Sequence, residues 1–539
     1  MMHVRSGPTG APERWPQIVS WQPEVDEIER RRRMAMQMGG EEGIARQHAK
    51  GRLTVRERID ALVDPESFRE IGSLFGQAEY DDAGTLTKFT HVSRVIGTGR
   101  LDGRQVAIDA GDFTIRGGWA DPTSFVGAGR FSIEQMAVER RIPYIRLLDS
   151  AGGSVESIRV KGRTVLLGGR HLYGPWHALM AHVPVVSAAL GSLGGEPPVR
   201  VAAAHWSVMT RHTSELFVAG PPLVKQAFHR DITKQELGGW RVHACRSGVV
   251  DNVAEDELEV FSLIRKFLSY MPQNVWELPP RAECGDAPER RDEELLSIIP
   301  RDRRKQYSVR DIIKRVVDRD STFELAPLYA PSVVTMLARM DGYPVAVMSN
   351  DCRVLGGAQT AAGCEKMMRF IDMADTFHLP VIYLVDCPGF MLGPDSELEG
   401  IERKSARLAF AMAQMTVPAQ AVILRRSFGV AGAMHGTLSS LNLRYAWPSG
   451  DWGSLPIEGG VMAAYRRDIE SAPNPEQKRV ELEQQFEPYR SPFRTAEAFD
   501  VEEIIDPRET RPLLCDFVRN ARDITATQLG PKWRLGVRP

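Results

Sequence analysis

The chain repeats itself, and this duplication restricts the fold more than any other feature of the sequence. Residues 100–118 and 339–357 align without a gap and are identical at eight of nineteen positions, where unrelated sequences would share roughly one. Three further blocks recur in the same order at offsets of 254, 237 and 234 residues, namely 54–67 with 308–321, 142–153 with 379–390, and 182–186 with 416–420. One unit of about 230–250 residues has therefore been duplicated and has diverged.

The duplication predicts two large domains within the 539 residues. A segment dense in proline and charge separates the two copies and has little apolar periodicity, which is typical of a linker. The predicted organisation is an N-terminal tail over 1–23, a first domain over 24–272, a linker over 273–307 and a second domain over 308–539.

The composition excludes several functional classes. There are 68 basic and 70 acidic residues, so the net charge is −2 and nothing indicates a polyanionic partner such as nucleic acid. No segment approaches ~18 consecutive apolar residues, which predicts a cytoplasmic protein with no membrane span. The six cysteines never form CxxC and have no histidine at ligand spacing, so we expect buried, reduced thiols and no metal site.

Short aliphatic runs alternate with helical patterns in both copies, which predicts an α/β fold with helices covering mixed or parallel sheets. Residues 361–377 form the clearest helical pattern, with Met367, Met368, Ile371 and Ala374 on one face. This methionine-rich stripe indicates core packing rather than a cofactor site.

Glycine-rich turns follow several predicted strands. Such turns permit positive φ and bring backbone N–H groups close to a negatively charged ligand. Each turn alone is a weak signal, and none matches the phosphate-binding loop or the dinucleotide-binding pattern. The turns lie at 149–154, 191–195, 354–359, 387–390 and 427–432.

Candidate catalytic side chains are less convincing than these backbone donors. Asp149 and Asp386 occupy the same repeat position at a strand end, where aspartate commonly caps the next turn. GxSxG and HExxH are absent. Four histidines are interpreted as structural or surface groups, and two glutamates are the remaining acidic candidates: His171, His177, His182, His205, Glu156 and Glu365.

Motifs distributed over nearly the whole chain resemble one family. They are ARQHAKGRLTVRERIDALVDPESFREIG (45–72), DFTIRGG (112–118), LLDSAGG (147–153), FVAGPPLVKQAF (217–228), QELGG (235–239), VDCPGFMLG (385–393), GIERKSARLAFA (400–411), TVPAQAVILRRSFG (416–429) and YAWPSGD (445–451). The sequence resembles the carboxyltransferase (beta) subunit of biotin-dependent acyl-CoA carboxylases, a group that acts on propionyl-CoA, methylcrotonyl-CoA, geranyl-CoA and long-chain acyl-CoA.

The resemblance implies two tandem crotonase-like ββα-superhelix domains, and it implies transfer of CO2 from carboxybiotin to an acyl-CoA. In the family mechanism carboxybiotin releases CO2 and its ureido anion removes the substrate proton. The protein then supplies two oxyanion holes, one for the thioester enolate and one for the ureido oxygen, and each preorganised donor contributes roughly 3–4 kcal/mol to lowering the barrier.

Carried over by motif, the thioester hole falls on the backbone amides of Ala151, Gly152 and Gly153. The biotin hole falls on the amides of Val430 and Ala431. The remaining implied contacts are Arg130, Gly117, Gly118 and Ala433 for the acyl-CoA, and Phe428 and Gly429 for biotin. Ala433 stands where the family carries an aspartate associated with short acyl groups, which leaves the acyl substrate open.

Proline placement supports a division of labour between the two copies. Pro388 is the repeat equivalent of Ala151, and proline has no N–H to donate. Conversely, the turn at 427–432 is free of proline, whereas its first-copy counterpart continues into Pro197 and Pro198. The hypothesis that follows is that the first copy holds the thioester and the second holds biotin.

The chain has no MKM-type biotinylation motif and no ATP-binding loop. The resemblance therefore implies that biotin is carried by a partner biotin carboxylase/biotin carrier subunit. It also implies a homo-oligomer, at least a dimer and in the expected form a hexamer. Two alternatives stay open: a decarboxylase or transcarboxylase subunit that runs the same half-reaction in the other direction, and a non-catalytic architectural beta subunit.

Overall fold

The computed structural model describes residues 20–118, 131–153, 155, 158–159, 162–164, 169–435 and 443–533. In the first half of the chain the strands are β1 (Arg69–Ile71), β2 (Gly76–Tyr80), β3 (Leu86–His91), β4 (Arg94–Leu101), β5 (Arg104–Gly111), β6 (Tyr144–Leu148), β7 (Val185–Ala189), β8 (Ser192–Gly194), β9 (Trp206–Thr210), β10 (Glu215–Phe217) and β11 (Asn252–Ala254).

The first-half helices are α1 (Gln22–Ala35), α2 (Gly40–His48), α3 (Val55–Leu62), α4 (Ile133–Arg140), α5 (Gly169–His182), α6 (Pro197–Ala202), α7 (Pro221–Phe228), α8 (Lys234–Gly238), α9 (Trp240–His243) and α10 (Glu257–Ser269). Short 3-10 helices add Arg116–Gly118 and, after the first sheet, Glu293–Leu296.

The second half repeats this alternation. Its strands are β12 (Phe323–Leu325), β13 (Val333–Met340), β14 (Tyr343–Asn350), β15 (Val381–Cys387), β16 (Ala419–Phe428), β17 (Arg444–Ala446), β18 (Asp451–Gly453) and β19 (Glu503–Ile504). Its helices are α11 (Val309–Val316), α12 (Ala361–Thr376), α13 (Pro394–Leu398), α14 (Ile401–Gln414), α15 (Gly429–Ala433), α16 (Ile457–Ala464), α17 (Arg466–Ser471), α18 (Pro475–Phe486), α19 (Pro492–Glu497) and α20 (Thr510–Ala526), with 3-10 helices at Leu355–Gly357, Glu487–Arg490 and Pro507–Glu509.

The two main sheets have the same topology, and this confirms the predicted α/β class. The first runs β1-β4-β5-β6-β7-β9-β11 and the second β12-β13-β14-β15-β16-β17-β19, with β18 paired to β16. In each sheet two antiparallel pairings are followed by parallel ones. Helical crossovers join the parallel strands, because parallel neighbours need a long connection.

The repeat also extends to strained backbone positions. The tight turn between β4 and β5 has Asp102 at φ +51°, and the turn between β13 and β14 has Asp341 at the same value. In both turns a carboxylate from the preceding block holds this residue in place: Asp64 accepts from the Asp102 N–H at 3.0 Å and Asp318 from the Asp341 N–H at 3.0 Å. Both copies therefore retain the side-chain support that a non-glycine residue in this conformation requires.

Local signals set the ends of several helices. Thr54 and Glu57 form a reciprocal capping box at the start of α3, and Ser308 caps α11 at the equivalent position. The predicted helix at 361–377 is α12, and the predicted face is confirmed as core, because Met367, Ile371 and Ala374 are fully buried. Met368 packs at the edge of the same core.

The two halves share one hydrophobic core. The Trp206 ring stacks on Phe267 with centroids 5.2 Å apart and meets the Phe323 ring of the second half at 5.6 Å. Asn252 donates to the Glu324 carbonyl at 3.0 Å across the same junction. The segment predicted as a linker contacts both halves. The Val275 N–H donates to the His182 carbonyl, and the Ala282 N–H donates to the Gly342 carbonyl. Its boundaries stay a prediction.

All six cysteines are free thiols. The expectation of burial is confirmed for four of them, but Cys245 and Cys284 are half-buried because they lie in irregular segments at the surface of each half. In the described part of the chain, no helix combines the length and apolarity that crossing a membrane requires.

Candidate active site

The turn after β6 carries the three amides predicted for the first oxyanion hole. Two of them already have acceptors: the Ala151 N–H donates to the Gly117 carbonyl at 3.0 Å, and the Gly152 N–H to Ser150 Oγ at 3.2 Å. The Gly153 N–H makes none of the hydrogen bonds between described residues, and Gly153 is exposed. Of the three predicted amides, the one at Gly153 is therefore without a partner among the described residues, and the assignment of the oxyanion hole stays a prediction.

Close packing fixes the shape of this turn. Gly152 has φ +83°, and a Cβ at that position would overlap the Gly194 carbonyl oxygen. Gly118, at φ +66°, leaves only 2.5 Å between a hypothetical Cβ and the Asp149 carbonyl oxygen. The predicted contact residues Gly117 and Gly118 therefore lie directly against the turn, and glycine is required where two backbones approach this closely.

A buried ionic group lies beneath the first turn. Arg58 Nη1 donates to Asp149 Oδ2 at 3.0 Å, while the other edge of its guanidinium holds Glu257 at 2.8 Å. Gln47 also donates to Asp149, at 2.8 Å. All three charged groups are at least nine-tenths buried, so one cation serves two carboxylates. Burial raises the pKa of Glu257, and the Arg58 guanidinium offsets part of that shift.

These contacts correct the prediction that Asp149 caps the turn. Its carboxylate binds side chains of α2 and α3 rather than turn amides, and Asp149 Oδ1 has no partner among the described residues. Gly191 lies so close to Oδ1 that any side chain at this position would overlap that atom. Gln47 and Arg58 both donate to the other carboxylate oxygen, Oδ2.

The equivalent turn of the second half, after β15, has the opposite charge arrangement. Asp386 is fully buried and accepts from Arg425 Nη2 at 2.8 Å, from Arg426 Nε at 2.6 Å and from the Tyr307 hydroxyl at 2.9 Å. Burial alone would raise the pKa of Asp386, but the two guanidiniums lower it overall. Asp386 also accepts from the Arg426 N–H. The capping expectation is wrong for this residue too.

A short helix presents the amides predicted for the second oxyanion hole. Strand β16 ends at Phe428, and α15 begins directly at Gly429, whose φ of +60° makes the sharp change of direction. The N–H groups of Val430 and Ala431 lie in the first turn of this helix, where no acceptor exists four residues earlier within the helix. They point from a helix N-terminus, which favours anions.

Exposure differs along α15. Val430 is 65% exposed, whereas Ala431 and Phe428 are buried. Ala433, the position predicted to border the acyl group, is exposed. Access to the amide end of this helix is therefore open at Val430.

The first-half counterpart of α15 is α6, at the offset of 234 found in the third block. Gly195 has φ +75° where Gly429 has +60°, so the same bend is present. Pro197 then takes the position of Ala431. A proline at the first turn of a helix leaves the fold intact but removes the N–H, so α6 lacks one of the two donors that α15 retains.

The remaining candidate side chains are dispersed. Arg130 and Glu156 lie outside the described residues. His182 and His205 bond to backbone groups within their own half, as expected for structural imidazoles. Glu365 accepts from the Tyr329 hydroxyl at 3.2 Å and pairs with Lys404 at 3.3 Å, at a distance in sequence from either turn. His171 belongs to α5, and His177 is exposed.

The arginines that bind the two aspartates were not predicted from the sequence. Arg58 lies in the TVRERIDALVDPES block, and Arg425 and Arg426 lie in ILRRSFG. Both stretches belong to the motifs that carry the family resemblance. The available signal was an arginine pair at the end of an apolar strand, because charged residues inside such a strand are rare unless a buried partner compensates them.

Comparisons with known proteins cover almost the entire chain. The carboxyl transferase domain model matches residues 46–528. The propionyl-CoA carboxylase carboxyltransferase subunit of Haloferax mediterranei is 34% identical over 498 residues, which span 92% of this chain and 95% of that protein. The beta chain of human mitochondrial propionyl-CoA carboxylase is 33% identical over 502 residues, 91% of this chain and 89% of that one.

A solved structure agrees with these sequence matches. The transcarboxylase 12S crystal structure, described as a hexamer with methylmalonyl-coenzyme A and methylmalonic acid bound, superposes with a TM-score of 0.83 at 28% identity and covers 96% of this chain and 98% of that one. The tandem crotonase-like fold expected from the sequence is thereby confirmed.

Proposed function

The chain belongs to the carboxyl transferase domain family, and from this membership we propose that it is the carboxyltransferase subunit of an acyl-CoA carboxylase of the propionyl-CoA carboxylase type. It transfers CO2 from carboxybiotin on a partner carrier to the enolate of an acyl-CoA. The observation that carries this proposal is that one turn of each half, at Gly153 and at the start of α15, has backbone donors that bond no described residue.

The acyl thioester is assigned to the first half. The Gly153 N–H bonds no described residue, unlike the amides of Ala151 and Gly152, which makes it the preferred donor to the thioester oxygen. As the α-carbon loses its proton, negative charge develops on that oxygen, and a preorganised donor stabilises it by roughly 3–4 kcal/mol. Gly117 and Gly118 keep the turn rigid during this change.

Biotin is assigned to the second half. Carboxybiotin, carried by a partner, supplies both the CO2 and the group that removes the substrate proton. The amides of Val430 and Ala431 fit the ureido oxygen, because they are first-turn donors at an accessible helix N-terminus. Arg425 and Arg426, near the end of β16, share Asp386 and so leave one excess positive charge, separated by two residues from this helix, where the ureido oxygen becomes anionic.

Two further features of the family are proposed for this chain. A biotin carboxylase/biotin carrier subunit is the expected partner, since no biotinylation motif is present in the sequence. A homohexamer is the expected assembly, in which the first half of one copy faces the second half of another; the hexameric transcarboxylase relative supports it.

A reconstituted transfer assay tests the proposal. The purified chain is combined with biotinylated carrier, biotin carboxylase, ATP and labelled bicarbonate, and acyl-CoAs from acetyl to long-chain and branched enoyl are screened. Labelled acyl-CoA is expected for at least one of them. Failure to label any thioester in a correctly assembled complex would contradict the proposal and favour the architectural alternative.

A pair of variants at one residue tests the donor assignment. Val430→Pro removes the N–H at a first-turn position where proline is compatible with the helix, and kcat should fall about 100-fold to 1,000-fold. Val430→Ala keeps the amide and should stay within about threefold of the parent. Equal activity of the two variants, in protein with unchanged circular dichroism, would remove Val430 from the site.

The second candidate is the same half-reaction in the reverse direction, which the transcarboxylase relative favours. The discriminating measurement is transfer from methylmalonyl-CoA to biotin compared with transfer from carboxybiotin to propionyl-CoA under matched concentrations. Both directions use the same amide donors, so the Val430 variants should lose both in proportion.

A further inference from the structure

Arg426 makes an unusual set of contacts at the end of β16. Its Nε donates to Asp386 Oδ1 at 2.6 Å, and its Nη2 donates to the Gly356 carbonyl at 2.7 Å. Its own backbone N–H also donates to Asp386 Oδ1, at 3.1 Å. The side chain is 23% exposed, while Asp386 is completely buried. One guanidinium therefore links β16, the turn after β15 and the glycine loop at Leu355–Gly357.

The repeat shows what this guanidinium replaces. In the first half the Gly117 carbonyl receives the backbone N–H of Ala151 at 3.0 Å. Gly356 is the equivalent of Gly117, and Pro388 is the equivalent of Ala151, so the second half has no N–H at that point. A carbonyl shielded from water and left without a donor costs free energy, and Gly356 is half-buried. Arg426 supplies the donor that Pro388 lacks.

The first half has different residues and contacts at the equivalent positions. At the offset of 234, Arg425 and Arg426 correspond to Gly191 and Ser192. A side chain at Gly191 would overlap the Asp149 carboxylate, and Ser192 Oγ instead donates to Glu215 at 2.6 Å. The arginine link is consequently a property of the second half alone.

Arg426 lies close in sequence to the proposed biotin site. Three residues separate Arg426 from Val430, and they include the bend at Gly429. The strand pairing of Arg426 with Asp451 of β18 holds the backbone on the other side. A shift of the Arg426 backbone would therefore be transmitted directly to the first turn of α15 and to its amides.

We propose that Arg426 is a positioning residue of the biotin-side oxyanion hole, which orients the Val430 and Ala431 amides by tying β16 to Asp386 and to the Gly356 carbonyl. The identity of the ligand in this inference rests on the proposed function, whereas the contacts that Arg426 makes with Asp386 and Gly356 do not depend on it. A positioning role in one half predicts a defect toward one substrate only.

The test uses the assembled full-length protein with methylmalonyl-CoA as carboxyl donor and free biotin as acceptor. Arg426→Met should lower kcat/KM for biotin at least tenfold, while KM for methylmalonyl-CoA stays within twofold. Arg426→Lys keeps the charge but reaches one acceptor rather than two, so it should recover part of the loss. Arg466→Met is the matched control, because Arg466 makes an exposed ion pair with Glu470 within α17 and should leave both constants unchanged.

Hydrogen–deuterium exchange separates this inference from the proposed function. In Arg426→Met the segments 353–359 and 424–433 should exchange faster, whereas the segment 147–153 should not change. If the parent protein is inactive here and with every acyl-CoA of the reconstituted screen, the proposed function fails, and exchange alone tests whether Arg426 holds the two segments together. If the parent is active, an unchanged kcat/KM for biotin, an equal loss toward both substrates or unchanged exchange would each overturn the inference.

Discussion

The strand-end aspartates of the two halves occupy the same repeat position in opposite charge surroundings. Asp149 shares a single arginine, Arg58, with Glu257, which leaves one excess negative charge. Asp386 receives both Arg425 and Arg426, which leaves one excess positive charge. The duplicated fold has thus kept the buried carboxylate and exchanged its counter-ions.

The difference follows from which backbone donors each half has lost. In the second half Pro388 removes a bond internal to the scaffold, and a side chain replaces it. In the first half Pro197 removes a donor at the start of α6, at the position equivalent to Ala431. No replacement donor is needed there, because the proposed site of the first half is the turn at Gly153. The two prolines therefore do not have mirror-image effects, although the sequence pattern suggested that they would.

The largest expected effect comes from breaking the first-half cluster. Arg58→Met leaves Asp149 and Glu257 buried without a cation, so the free energy of unfolding should fall by about 3–5 kcal/mol. Urea denaturation monitored by circular dichroism measures it. The control is Arg211→Met, which removes a partly exposed pair with Glu255 and should cost less than about 1 kcal/mol. Similar losses in both variants would show that the buried cluster does not stabilise the first half.

A pair of alanine substitutions compares the rigidity of the two turns. Gly152→Ala would overlap the Gly194 carbonyl and strain a φ of +83°, so stability should fall by about 2–4 kcal/mol. Gly429→Ala meets its nearest neighbour, the Ser454 carbonyl, at 3.4 Å, and only the left-handed backbone opposes it, at about 1–2 kcal/mol.

The same two variants should differ in activity. Displacement of the Gly153 amide by Gly152→Ala should lower carboxyl transfer about 100-fold, whereas Gly429→Ala should reduce it less. Urea midpoints and the transfer assay check both expectations. A larger loss of stability in Gly429→Ala than in Gly152→Ala would reverse the view that the first turn is the more tightly packed of the two.

Periodicity and the repeat were sufficient to predict the α/β class, the duplicated architecture and helix α12, because these depend on local pattern and on chain-wide correspondence. The glycine turns were also located from sequence. The bonding of individual amides was not predictable, since whether Ala151 donates to Gly117 or to a ligand depends on approaches between segments far apart in sequence. The counter-ions of Asp149 and Asp386 could not be predicted for the same reason.

An effect similar in size to that of Gly429→Ala concerns pH and the residue that follows the second turn. His435 is buried beneath α15, and its Nδ1 bonds the Ala431 carbonyl at 2.8 Å. Burial lowers the pKa of His435 to about 4, which the contacts with the Ala431 and Gly432 backbone only partly oppose. Its first-half equivalent at the offset of 234 is Val201, which does not titrate. At this repeat position, a pH-dependent contribution is therefore expected from the second half alone.

The direction follows from proton binding. The unfolded chain protonates His435 below its ordinary pKa of 6.5, whereas the folded chain protonates it only near 4, so stability falls as pH drops between these values. From pH 7 to pH 5 the loss should be about 2 kcal/mol. His435→Val, which installs the first-half residue, should lessen the drop by that amount in urea unfolding at the two pH values, because all other groups titrate alike in both proteins. A parallel decline in parent and variant would mean that His435 is not held neutral, and the pH asymmetry between the halves would disappear.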